Sequence, residues 1–203
     1  MTETITGLFE AYQEAETAVR DLEAAGVPHK DISLVANDTH GEHAKTAKMA
    51  SKAGEDAGKG AGLGAAIGGA GGLLAGLGVL AVPGLGPVVA AGWLVSTIAA
   101  AVGGAAIGGA AGGIVGALTK AGVSEEDAHA YAEGVRRGGS LVTARVDDGL
   151  VTTARAILNG EHAVDIAGRR EVYRGEGWST FDDTAATYTP QEVAAERARY
   201  DRV

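Results

Sequence analysis

Between Gly60 and Thr119 the chain contains no Asp, Glu, Lys, Arg, His, Asn or Gln, and the heptapeptide GAAIGGA occurs there twice, at Gly64–Ala70 and Gly104–Ala110. Gly60, Gly64, Gly68, Gly72 and Gly76 recur every four residues, as do Gly104, Gly108, Gly112 and Gly116; Gly92, Ser96 and Ala100 extend the second row. On a helix this spacing lays small residues along one stripe, so a second backbone can approach closely. Each helix-interior glycine costs roughly 0.8–1.0 kcal/mol relative to alanine, so such helices need a bilayer or tight partners to persist. The sequence VPGLGP, Val82–Pro87, breaks the run with Pro83, Gly84, Gly86 and Pro87 and predicts a tight reversal. The expectation is a helical hairpin, 60–119, with a glycine zipper on each arm.

Gly60–Val82 as a helix would rise about 34 Å, enough to cross a hydrocarbon core of about 30 Å, and Val88–Leu118 is longer. Lys45, Lys48, Lys52 and Lys59 precede the run and Lys120 follows it. Basic feet and an uncharged tip suit anionic headgroups on the cytoplasmic side of a membrane. The same stripes also suit a soluble cytoplasmic assembly, a large oligomer or filament. Both readings stay open.

The flanks read as ordinary soluble sequence. Thr4–Phe9 predicts a strand, Glu10–Ala25 a helix closed by Gly26 and Pro28, and Asp31–Ala36 a second strand, one βαβ unit within 1–38. Residues 39–59 are expected to form a polar, lysine-bearing linker helix. Within 120–170, Ser124 and Asp127 open a helix that runs to Arg137; SLVTARVDD is a strand, Gly149–Leu158 a helix and Ala163–Ala167 a last strand. Two βαβ units imply an α+β fold, a ferredoxin-like split sheet holding the inserted hairpin. Residues 171–203 read as a surface tail that loosens from Glu171 and ends in a short helix, with Thr189, Pro190 and Glu192 as its capping box.

A net charge of −9 argues against a general nucleic-acid binder, and the absence of cysteine excludes disulfides and thiolate sites. The N-terminus shows no basic region followed by an apolar run, so no secretory signal is expected. GAGLGAAIGG lacks both the acid of a dinucleotide fold and the Gly-Lys-Ser/Thr of a phosphate loop. His40 and His43, beside Asp38 and Glu42, read as a solvated loop rather than a metal site. His129 reads as part of an exposed charged face with Glu125, Glu126 and Glu133. Trp178, Phe181 and Tyr188 could dock on the chain's own domain or on a partner, and the first is the simpler expectation. No catalytic residue, cofactor, metal or small-molecule substrate is assigned.

FEAYQEAETAVRDLEAAGVPHKDISLVAND, the hairpin with VPGLGPVVAAG, then GVSEEDAHAYAEGVRRGGSLVTARVDD and ARAILNGEHAVDI together resemble the bacterial general stress protein family of the heat-induced YflT and 17M-like type. The tail GWSTFDD…YTPQEVAAERARY is similar to tails in that family. The resemblance implies a stress-associated bacterial protein and carries over no catalytic residues. The functional expectation is a non-enzymatic stress protein that associates with or inserts into a membrane and self-associates through the glycine rows, or, alternatively, a soluble scaffold packed through them. A metal- or small-molecule-binding ferredoxin-like domain is a third class.

Overall fold

The computed structural model describes residues 2–39, 78–103 and 113–200. Strands β1 (Thr2–Phe9), β2 (Ile32–Asn37), β3 (Gly78–Val82), β4 (Gly86–Gly92) and β5 (Ser140–Asp147) form one sheet, in the order β1-β5-β2-β4-β3, with every pairing antiparallel. The helices are α1 (Tyr12–Ala24), α2 (Trp93–Gly103), α3 (Gly113–Lys120), α4 (Glu125–Arg136), α5 (Val151–Leu158), α6 (Ile166–Gly175) and α7 (Pro190–Tyr200). The class is α+β.

β5 is the organising strand because it pairs on both sides. Ala144 faces Ile5 of β1 and Ile32 of β2, and Leu141 faces Leu8 and Val35. The period of two then builds a core on each face. Ile5, Phe9, Ile32, Leu34, Val142 and Val146 meet α1 and α5 on one side. Leu8, Val35, Val88, Ala90 and Leu141 meet α2, α3 and α4 on the other. The helix α1 forms where Tyr12, Ala15, Val19 and Leu22 recur on one face, and the carboxylate of Glu14 accepts the N–H of Ala11 at its start.

Three expectations are corrected. First, the reversal at Val82–Pro87 joins two strands, β3 and β4, rather than two helices. Gly84 (φ 74°) and Gly86 (φ 80°) take left-handed conformations there, which L side chains rarely adopt. Second, Val88–Leu118 is not one helix: it is strand β4, then α2, then α3 after residues outside the description. Among its described residues, Leu94, Ile98 and Leu118 are fully buried in the protein's own interior and Ile114 and Val115 nearly so. Third, Ala163–Ala167 is not a strand. The N–H of Val164 donates to the carbonyl of Leu8 at 2.8 Å, beside β1, and α6 begins at Ile166 with the Asp165 carboxylate accepting from the Ala167 N–H. The tail therefore does not loosen at Glu171, because α6 continues to Gly175.

The β4–α2 junction fixes the second core. Ser33, buried in β2, donates its hydroxyl to the Ala91 carbonyl at 3.0 Å and accepts the Leu94 N–H at 2.8 Å. Gly92 lies at this junction with φ 90°, and a Cβ there would overlap the Ile32 carbonyl oxygen and come within 2.7 Å of Ser33 Cα. A helical Gly92 would gain about 1 kcal/mol from substitution by alanine. In this fold Gly92→Ala is expected to lose about 2 kcal/mol or more, from strain and overlap. The shift in urea midpoint, down rather than up, checks it.

Candidate functional site

Among the described residues, a dense arrangement of charged side chains lies where α4 ends and the C-terminal segment returns. Glu133 on α4 has no exposed surface. Arg136 and Arg137, three and four residues on, are within reach on a helix. Arg136 donates to both Glu133 oxygens, Nε to Oε2 at 2.9 Å and an Nη to Oε1 at 2.8 Å. Arg137 donates from Nε to Glu133 Oε1 at 2.7 Å, and from one Nη to Glu176 at 2.7 Å and Glu196 at 2.9 Å. Its guanidinium also lies 4.0 Å from the ring centre of Tyr173. Arg199 closes the cluster, 2.5 Å from Glu176 and 2.8 Å from Glu196.

The electrostatics follow from burial and pairing. Burial alone would push Arg137 down, but hydrogen bonds to Glu176, Glu133 and Glu196 outweigh it and hold the guanidinium above its ordinary value. Burial likewise opposes the Glu196 carboxylate, and hydrogen bonds from Arg137 and Arg199 hold its pKa below the usual range. Desolvation raises the phenol of Tyr131, whose hydroxyl donates to the Thr6 carbonyl at 3.1 Å. These are groups locked in their charge states, not poised near neutrality as general acids and bases require.

Beside the cluster lies a cleft of about 1000 Å³, walled by Val115, Gly116 and Thr119 of α3, His129 of α4, and Trp178 and Phe181 of the segment after α6. His129 is not part of a bare charged face. Its Nδ1 accepts the Phe181 N–H at 3.3 Å and lies 3.0 Å from the Thr180 hydroxyl, so the ring fixes the returning segment. Phe181 packs on the second core, Trp178 meets Tyr173 edge-on at 5.8 Å, and Arg136 lies 5.1 Å from the Tyr188 ring centre. All three aromatics dock on the chain's own domain, as expected from the sequence. A smaller cleft of about 420 Å³ separates α1 from the end of α5, beside Phe9, Asp21 and His162.

Of the sequence-derived positions, Gly116 is half-buried on α3 at the cleft wall and Gly92 ends β4. Gly60, Gly64, Gly68, Gly72, Gly76, Gly104, Gly108 and Gly112 lie outside the described residues, as do Lys45, Lys48, Lys52, Lys59, His40 and His43. Lys120 is the exposed last residue of α3. Pro83, Gly84, Gly86 and Pro87 surround the β3–β4 turn, where a Cβ on Gly84 would come within 2.7 Å of Asp183 Cα and one on Gly86 within 3.0 Å of Thr187. Glu133 is the main correction. The sequence reading put it on a solvated face with Glu125 and Glu126, and those two are exposed while Glu133 is buried. The missed signal is the pair of arginines one turn on. Among the described residues no group of three or more His, Asp or Glu is placed to hold a metal ion, and no helix is long and apolar enough to cross a membrane.

With this geometry in view, a family comparison gives one match. Residues 4–79 match the heat-induced stress protein YflT domain. The match spans well under half of the chain. It begins in β1, covers α1 and β2, and ends inside β3, so the matched stretch includes the strand–helix–strand of the first unit. The ion cluster and the C-terminal segment lie beyond it. No curated protein and no solved structure matches the chain.

Removing one partner from a buried ion cluster leaves the other charges uncompensated, at about 3–5 kcal/mol. Glu133→Ala is expected to lose that much in urea unfolding, against about 1 kcal/mol or less for exposed Glu126→Ala on the same helix. The pH dependence has a definite sign. Because the folded Glu196 value is depressed, its contribution is complete above the ordinary carboxylate range, about 4.3, and is lost as pH falls through the depressed value. Acid titration of stability in wild type and Glu196→Gln checks it: the variant should lack that part of the acid-side loss.

Proposed function

We propose that this chain is a non-enzymatic general stress protein that acts by association, and that its first partner is a second copy of itself. The match to the YflT domain supports the stress assignment. The carrying observation for association is where the apolar residues go. Leu94, Ile98, Ile114, Val115 and Leu118, which an inserted second arm would present to lipid, are buried in the second core. That leaves the row Gly60–Gly76 without a matching arm on a hairpin, and its small-residue spacing supports close packing against the same row of another chain. A soluble, cytoplasmic scaffold is the reading that fits both facts.

The non-enzymatic part rests on the charged groups around α4 being tied to one another rather than aimed at a shared point. The scaffold itself supports a modified ferredoxin-like reading. β1 and β2 run parallel with β5 between them, and the Val164–Leu8 bond sits where a fourth strand would pair. Membrane association is the second reading, favoured by one sequence feature: the spacing of Lys45, Lys48, Lys52 and Lys59 would place them near one face if that stretch were helical, next to the uncharged run. Contact with anionic lipid would then pass through that segment, since the whole chain carries −9.

Two measurements on one preparation separate the readings. Light scattering on the purified protein should show a species much larger than a monomer, which Gly68→Leu reduces by breaking the close approach. Flotation with phosphatidylglycerol-containing vesicles should leave the protein at the bottom of the gradient. A monomeric protein that floats with the vesicles would overturn self-assembly in favour of the membrane.

A further inference from the structure

The C-terminal segment after α6 returns over the body through a glycine-flanked start. Gly175 and Gly177 flank its start, each with open space where a Cβ would be, and Gly177 has φ 89°. Beyond them, residues 177–189 lie over the β3–β4 turn, with Phe181 on the second core and Thr187 against Gly86. The helix α7 then rests on the end of α4. Val193 is its buried apolar residue and sits against Gly138, while Arg197 donates to the Gly138 carbonyl at 2.5 Å. The other contacts of α7 with the body include the ion pairs of Glu196 with Arg137 and Arg199 with Glu176, and the Tyr200 ring under the Arg169 guanidinium.

We propose that residues 177–200 form a hinged strap that opens as a unit while the sheet stays folded, with the Glu196–Arg137 ion pair as its catch. Elements with few buried apolar contacts open locally at free energies well below global unfolding. Opening about Gly177 lifts Phe181 and Thr187 from the turn and Tyr188 from Arg136 and Arg137, so the strap controls access to the turn Val82–Pro87 and takes one wall of the cleft beside His129 with it. The groups facing the catch come from several elements. They are Glu133 and Arg136 of α4, Arg137 at its C-cap, Arg169 and Tyr173 of α6, Glu176 after it, and Tyr188, Arg197, Arg199 and Tyr200 of the strap itself. With guanidinium groups on both sides, neutralising a carboxylate removes attraction and leaves like charges facing. This device is separate from the glycine-row association and stands or falls without it.

Amide hydrogen exchange on the full chain at neutral pH tests it. In Glu196→Gln the amides of α7 and of 179–189 should exchange about 10- to 100-fold faster, with β1, β2 and β5 unchanged. Val193→Ala should accelerate the same region. In wild type, strap exchange should depend weakly on low urea concentrations and sheet exchange strongly, which separates local opening from global unfolding. Strap amides that exchange only together with the sheet, or that keep wild-type protection in Glu196→Gln, would overturn the proposal.

Discussion

A carboxylate with no exposed surface decides how the two halves of this chain meet. Glu133 sits one turn before the end of α4 and is held by Arg136 and Arg137. Burying it is tolerable only because two guanidinium groups meet it. Arg137, once drawn inward, needs further acceptors, and these come from Glu176 and Glu196, far along the chain. One buried charge thus recruits the C-terminal segment. The aromatic rings of Tyr173 and Tyr188 complete the surroundings by lying against the same guanidinium groups. The ion cluster makes the tail a covering for the fold rather than an appendage.

The second constraint is that the sheet has helices on both faces. A strand buried on both sides needs no polar residue at alternate positions and reads as a continuous apolar run. In β4, Val88 and Ala90 enter one core while Val89 and Ala91 enter the other. That explains how a stretch with the look of a membrane segment becomes a sheet strand, and why its glycines fall at the turn and at the β4–α2 junction. At Gly92 the close approach of the β2 backbone leaves no room for a side chain.

The legible parts of the fold are those with local signals. The strand–helix–strand of the first unit was readable from alternation and from the stripe Tyr12, Ala15, Val19 and Leu22. The caps at Ser124 and Thr189 were readable from spacing, and both hydroxyls accept the expected N–H, from Asp127 and Glu192. The turn at Val82–Pro87 was readable from its prolines and glycines, but the conformation of its arms was not. An apolar run without alternation looks alike as buried strand and buried helix, and length argued for helix. The strand expected at Ala163–Ala167 keeps a single backbone bond to β1, because the Asp165 cap starts α6 first. The ion cluster was illegible for another reason. Its members come from α4, the end of α6 and α7, and only the tertiary fold brings them together.

The described residues form a two-sided α+β body closed by an electrostatically fastened tail. The central claim is that the Arg137–Glu196 contact couples tail to body. A double-mutant cycle on Arg137→Met and Glu196→Gln, read as the closing free energy of α7 from its amide exchange, addresses it most directly. A coupling of about 2 kcal/mol or more is predicted, within the range for side chains in one buried network. Additive effects, with coupling below about 0.5 kcal/mol, would contradict the account.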